Sequence, residues 1–181
     1  RLCSKGYKVI VLREPGGTLI SEKIRKILLD KENSILSNEA ESLLFFASRN
    51  QLMREKVIPS LEAGCFVICD RFNDSTIAYQ GYGFDLNINN LETISNFATI
   101  NKEPDTTFFL DISVDLSLSR RDDIENDRIE NKGAQYLEKV RQGFLSISKN
   151  NPNRIIAIDA SLNIDNIGNM VWMHIKERYE I

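Results

Sequence analysis

The sequence has little of the residues that support several common kinds of chemistry. It contains a single histidine, His174, in an amphipathic C-terminal segment, and we interpret it as a packing or surface residue rather than a catalytic base. Three cysteines are too few, and odd in number, for a secreted disulfide framework. Cys65 and Cys69 fall in one expected strand, about 13 Å apart, too far to bridge or chelate. We therefore expect reduced, structural thiols in a cytoplasmic protein.

Long apolar runs and an excess of one charge are also lacking. Apolar stretches such as residues 43–47 are core-sized, far below the about 18 residues that a membrane helix needs. The charged residues 1–8 are not followed by the apolar region of a signal peptide. Lys and Arg number 23 against 26 Asp and Glu, a net charge of −3, which does not suggest general nucleic-acid binding. We expect neither a membrane nor a nucleic-acid partner.

What is present is the composition of an ordinary globular domain. The chain has 181 residues, 42% hydrophobic and 27% charged, which predicts one domain over residues 1–181. Apolar periodicity predicts strands at 9–12, 65–69, 107–112 and 155–158, and helices at 20–30, 38–61, 135–148 and 163–179. We expect Asn38, with Glu41 three residues on, to cap the second of these helices. The alternation predicts an α/β fold, a mostly parallel sheet with helices on both faces.

Charged motifs follow the first two predicted strands. REPGGT at 13–18 follows the first strand directly, and DRFNDST at 70–76 follows the second. Ligands of such sheets bind beyond the carboxyl ends of the strands, so we expect both motifs to face one cleft. The alternative is that REPGG is only a turn and that Asp70 and Arg71 form only a surface pair.

Two further groups could line that cleft. Phe45 and Arg49 lie four residues apart on the long helix and share a face. A ring beside a guanidinium suits a planar base with a polar edge, although Phe45 could instead be core and Arg49 surface.

Hydroxyl and amide groups follow Arg71 at the same spacing. Ser75 with Tyr79, and Thr76 with Gln80, would share a face in each pair if that stretch is helical. These side chains would then lie at the same cleft.

Together these motifs resemble the bacterial thymidylate kinase family. REPGGTLISEKIRKILL, LLFFASRNQL, DRFNDSTIAYQGYG and the late IDAS occur in family order across essentially the whole chain. The resemblance implies a P-loop NTPase-like (nucleoside monophosphate kinase) fold with a lid. It also implies transfer of the γ-phosphoryl group of ATP to dTMP, giving dTDP for dTTP synthesis, with Mg²⁺ as cofactor, in a cytoplasmic homodimer.

The resemblance also implies roles for individual residues. Phosphoryl transfer needs positioning and positive charge more than a general base, which fits the scarcity of histidine. By similarity, Arg71 and Arg25 hold the dTMP phosphate, Phe45 stacks on thymine and Arg49 donates to its O4. The remaining pocket residues, which meet the other base edge or line the walls, are Ser75, Thr76, Tyr79 and Gln80.

Carboxylates and lid arginines complete the implied site. Glu14 and Asp70 lie where the family places carboxylates near the phosphates and Mg²⁺, and we expect them to act mainly through bound water. Residues 119–131 match the lid, with Arg120, Arg121 and Arg128 as its arginines. We favour Arg121, with Arg71 and Glu14, as the catalytic group. The alternative is an exposed helix end rich in ion pairs.

The family's phosphate loop, of the form G-x-x-x-x-G-K-[ST], has no match in the 181 residues. We expect it upstream, with a strand that is central in the family sheet, between the second and third strands predicted here. Without it we expect a gap in the core and no productive binding of ATP. Two alternatives stay open: a kinase for another pyrimidine monophosphate, and a non-catalytic nucleotide-binding fragment.

Overall fold

A computed structural model describes residues 1–120, 128–129 and 132–181. The strands are β1 (Val9–Arg13), β2 (Phe66–Asp70), β3 (Thr107–Asp111) and β4 (Ile155–Asp159). The helices are α1 (Leu19–Leu29), α2 (Asn38–Leu52), α3 (Ile58–Glu62), α4 (Asn73–Thr76), α5 (Ile88–Thr99), α6 (Val114–Ser119), α7 (Ala134–Asn150) and α8 (Ile164–Tyr179). A short 3₁₀ helix covers Cys3–Lys5, and two π-helical segments cover Met53–Val57 and Ile77–Tyr82.

The predicted strands and the four predicted helices are confirmed, with three corrections. The long helix predicted at 38–61 is α2 and α3 joined by the first π-helical segment. Its N-cap is Ser37, whose hydroxyl accepts a hydrogen bond from the Ala40 amide, so the prediction of Asn38 as the cap was wrong. Helix α5 was missed, because its Asn, Ser and Thr residues are weak helix formers.

The four strands form two parallel pairs rather than one continuous sheet. Strand β1 pairs with β2 so that Arg13 lies opposite Asp70, and β3 pairs with β4 so that Asp111 lies opposite Asp159. The parallel arrangement was predicted and is confirmed. A single sheet was expected, and within the described residues the two pairs share no ladder.

Helices cover both faces of the second pair. Phe108 and Phe109 are neighbours on β3, so their side chains point to opposite faces. The Phe108 ring lies 6.3 Å from that of His174 on α8, and the Phe109 ring stacks at 5.1 Å on Phe144 of α7. The predicted two-faced α/β arrangement is therefore confirmed, and His174 is a packing residue.

A groove of ≈1060 Å³ separates β2 from β3. Its walls are largely apolar and include Val67 and Phe109, and it lies where the sequence predicted a gap. An ion pair links β4 to the segment after β2: Arg154, just before β4, donates to both carboxylate oxygens of Asp74 at 2.7 and 2.8 Å. Thr107 of β3 also donates to Asp74, at 3.3 Å.

The three cysteines are free thiols, as predicted. Cys3, Cys65 and Cys69 are unpaired, and burial raises the pKa of the Cys69 thiol to about 12. At neutral pH this thiol stays protonated, and a protonated thiol is neither a nucleophile nor a metal ligand. Among the helices that the structure describes, none has the length and apolar character that crossing a bilayer would require.

Candidate active site

The two charged motifs meet at one edge of the β1–β2 pair. Arg13 and Asp70 are register partners at the carboxyl ends of their strands. Just beyond them, the Glu14 amide donates to the Asp70 carbonyl at 3.0 Å. The loop that begins at Glu14 and the segment that begins at Arg71 therefore leave the sheet side by side, as the sequence predicted.

The turn after β1 depends on two glycines. Gly16 and Gly17 have φ of +135° and +89°, a region that favours glycine. A Cβ on Gly17 would lie 2.7 Å from a methyl carbon of Leu52. The Gly17 amide donates to Glu22 at 2.8 Å, a bond that lowers the pKa of that carboxyl. Arg25 donates to the Pro15 carbonyl at 2.9 Å, so α1 is tied to the same turn.

A buried ion pair joins this turn to α2. Arg49 is 1% exposed and Glu14 is 5% exposed. Arg49 Nε donates to Glu14 Oε2 at 2.7 Å, and Nη2 lies 2.5 Å from the same oxygen. Burial raises the pKa of Glu14, and the Arg49 guanidinium opposes that rise. Arg49 is thus not a surface residue, and its orientation is fixed by Glu14.

One nitrogen of the Arg49 guanidinium is left over. Nη2 also donates to the Thr76 hydroxyl at 2.9 Å, whereas Nη1 is buried with no hydrogen-bond partner among the described residues. A buried donor without a partner costs about 1–3 kcal/mol. Arg49 therefore carries one buried donor that no acceptor among the described residues satisfies.

A pocket of ≈210 Å³ opens at this edge. Its lining includes every described residue that the sequence predicted as catalytic, substrate-binding or metal-binding outside the lid: Glu14, Arg25, Phe45, Arg49, Asp70, Arg71, Ser75, Thr76, Tyr79 and Gln80. Phe45 is half-buried and packs against the cluster around Tyr136 and Leu137, so it is both a core and a pocket residue. The structure thus brings the predicted residues together, and their individual roles stay predictions.

Arg71 has an unusual backbone. Its φ of +66° lies in the left-handed region, which costs a non-glycine residue about 1–3 kcal/mol and recurs at functional sites. The guanidinium carbon lies 4.8 Å from the centre of the Tyr79 ring. This conformation places the cation on the pocket wall directly after β2.

Behind the pocket lies a carboxylate that the sequence analysis missed as a site residue. Gln80, in the second π-helical segment, donates through Nε2 to Glu41 at 2.9 Å. Glu41 is 0% exposed and lies four residues before Phe45 and eight before Arg49. That spacing puts all three on one helix face and could have identified Glu41, which was interpreted only as part of a cap.

The described lid arginines contact protein groups. Arg120 donates to the carbonyls of Ala160 and Ser161 at 2.7 and 3.2 Å, in the IDAS segment after β4. Arg128 donates to Glu41 at 2.6 Å and to the Leu28 carbonyl at 2.9 Å. Their roles over phosphates stay predictions. Arg121 and most of the lid predicted at 119–131 lie outside the described residues.

Comparison with known proteins agrees with this architecture. The family model described as thymidylate kinase matches residues 1–171. A thymidylate kinase of Thermosipho africanus (strain TCF52B) is 46% identical over 166 residues, covering 92% of this chain and 82% of that protein. A thymidylate kinase of Chlorobaculum parvum (strain DSM 263 / NCIMB 8327) is 46% identical over 171 residues, covering 89% and 78%. The fold is therefore that of the P-loop nucleoside monophosphate kinases. Within that class, the chain belongs to the thymidylate kinase family.

The buried ion pair predicts a large effect on stability. Glu14→Ala leaves the Arg49 guanidinium buried without its counter-ion, which should lower the free energy of unfolding by about 3 kcal/mol. Lys139→Ala, which breaks an exposed pair with Asp85, should cost less than about 1 kcal/mol. Urea unfolding followed by circular dichroism measures both. Equal effects of the two substitutions would contradict the assigned role of the pair.

Proposed function

We propose that the protein transfers the γ-phosphoryl group of ATP to dTMP, giving dTDP and ADP. Family membership defines the reaction class. The observation that carries the proposal for this chain is the buried Arg49 guanidinium, fixed by Glu14 and with Nη1 unpartnered among the described residues. It lines the same pocket as the half-buried ring of Phe45.

The base of dTMP binds between these groups. Phe45 offers a ring face for stacking on thymine, and Arg49 Nη1 donates a hydrogen bond to O4. Cytosine carries an amino group at that position. Two hydrogen-bond donors, this amino group and Arg49 Nη1, would then face each other. A site that leaves buried polar groups unpaired rejects the wrong ligand strongly, and the rigid Glu14–Arg49 pair prevents the guanidinium from turning away.

The phosphate of dTMP binds at the strand ends. Arg25 on α1 and Arg71 directly after β2 both line the pocket. Their charges offset the repulsion between the acceptor phosphate and the triphosphate of ATP. Catalysis of this kind consists mainly of positioning and charge stabilisation, and the second ionisation of a phosphate monoester, with a pKa of about 6, makes the acceptor anionic without a general base.

Of the two predicted carboxylates, Asp70 is better placed than Glu14 to bind Mg²⁺. Mg²⁺ binds through one or two carboxylates together with waters and substrate phosphates, so the lack of a three-ligand cluster among the described residues is no obstacle. Asp70 is exposed at the pocket, and we assign it to the ion, directly or through water. Glu14 is engaged with Arg49 through Oε2, so its main part is to orient Arg49. Bound Mg²⁺ would neutralise charge on the phosphates during transfer.

The groove between β2 and β3 supports a proposal for the ATP side of the site. Its largely apolar walls and its position between two parallel pairs fit a fifth parallel strand. We propose that polypeptide upstream of Arg1 supplies this strand and the phosphate loop after it. We also propose that Arg121, which lies outside the described residues, acts on the transferring phosphoryl group.

Assembly and location follow the family in this proposal. We propose a cytoplasmic homodimer, as the family resemblance implies.

An acceptor panel tests the reaction. The full-length protein is given ATP and Mg²⁺ with dTMP, dUMP, dCMP, UMP or AMP in turn, and ADP release is measured. We expect ADP formation to favour dTMP strongly over dCMP, by about 10⁴-fold or more if the polar edge is read as proposed. Preference for another pyrimidine would identify a different acceptor, and a folded protein without acceptor-dependent ADP release would overturn the kinase proposal.

Arg71 provides a second test. Arg71→Ala should lower kcat by about 10²–10³-fold, because a positioned cation is lost from the developing charge. Arg54→Ala removes the same charge from an exposed site on the first π-helical segment and serves as the control. If the two variants turn over dTMP at the same rate, Arg71 does not act on the phosphates.

A further inference from the structure

Glu41 is a buried carboxylate to which the mechanism above gives no part. It is 0% exposed on α2. Its Oε1 accepts from Gln80 Nε2 at 2.9 Å, and its Oε2 accepts from Arg128 Nη2 at 2.6 Å. Lys132 Nζ lies 4.0 Å from the same Oε2. One side chain therefore joins the pocket wall at Gln80 to two cations near the end of the predicted lid.

The two cations determine which way the Gln80 amide points. Arg128 donates to Glu41 Oε2, and Lys132 Nζ lies 4.0 Å from the same oxygen, so both cations pair with this carboxylate. A carboxylate in an ion pair accepts hydrogen bonds and does not donate them. The amide nitrogen of Gln80 must therefore face Glu41. Its carbonyl oxygen is then the atom that can accept a hydrogen bond from a ligand in the pocket.

The resulting pocket edge has a defined polarity. Gln80 is 1% exposed and lines the pocket beside Arg49. Arg49 Nη1 supplies a donor and the Gln80 carbonyl supplies an acceptor. Thymine offers the complementary pair, with an acceptor at O4 and an N–H at N3. Cytosine offers the reverse, an amino donor and a bare N3.

The geometry points to Glu41 as a specificity-determining positioning residue. We propose that it holds the Gln80 amide with its carbonyl toward the base, so that the pocket accepts thymine and rejects cytosine. Arg128 supports this by donating to Oε2 of the same carboxylate, which leaves Oε1 for the Gln80 amide. The inference rests on the proposed function, since it assumes that a pyrimidine monophosphate occupies the pocket.

Glu41→Gln is the direct test in the full-length protein. A neutral amide at this position can meet Gln80 with either its oxygen or its nitrogen, so Gln80 is free to turn over. We expect the ratio of kcat/KM for dTMP to that for dCMP to fall by about tenfold or more. Glu39→Gln removes the same charge from an exposed position on the same helix and should leave the ratio unchanged. An unchanged ratio in Glu41→Gln, with the variant folded, overturns the proposal.

A double-mutant cycle separates positioning from general structural damage. Gln80→Met removes the amide, so adding Glu41→Gln to it should not lower the ratio further. If the two effects add, Glu41 acts through some other group and the proposal fails. If the wild type itself shows no preference for dTMP, the proposed function fails instead, which keeps the two failures distinct.

A measurement on the unaltered protein covers the case in which Glu41→Gln does not fold. In the dTMP complex, the Gln80 side-chain amide protons should show nuclear Overhauser contacts with the Arg128 side chain, which shares Glu41 with them. Contacts of those amide protons that are stronger with the base than with Arg128 would overturn the proposal, because the amide nitrogen would then face the base.

Discussion

The site depends on the buried ion pair between Glu14 and Arg49. The pair joins the end of β1 to the last turn of α2. It fixes a flexible side chain, one nitrogen of which has no hydrogen-bond partner among the described residues. Burial makes this arrangement costly unless both charges are present. The same low-dielectric surroundings strengthen any hydrogen bond that Nη1 makes to a bound base. Stability and recognition therefore rest on one contact.

Glu41 is a second buried carboxylate that fixes the orientation of a pocket side chain. Glu41 orients Gln80 as Glu14 orients Arg49, and each carboxylate is itself held by a guanidinium. The two acidic residues supply no chemistry of their own in this scheme. They fix the polarity of the groups that face the base, which is how a small pocket can distinguish pyrimidines that differ in two hydrogen-bonding positions.

Much of this site could be predicted from sequence, because its main signals are local. The four-residue spacings and the motifs at two adjacent strand ends predicted nine of the site residues at one cleft, and the family resemblance added Arg25. All ten line the pocket. The partners of the lid arginines could not be found in this way. Arg128 pairs with Glu41 across 87 positions, and a run of mixed charge does not indicate which distant carboxylate each cation meets. Helix α5 was missed because its polar residues are weak helix formers. The parallel strands were predicted, whereas their division into two pairs appears only in three dimensions.

Recognition depends on Arg49 presenting Nη1 to the base while Glu14 holds the other side of the guanidinium. A crystal structure of the full-length protein with dTMP is the direct test. We expect thymine stacked on Phe45, with Nη1 about 2.9 Å from O4 and the Glu14 pair intact. A base bound away from Phe45, or Nη1 directed at a group other than O4, would contradict it.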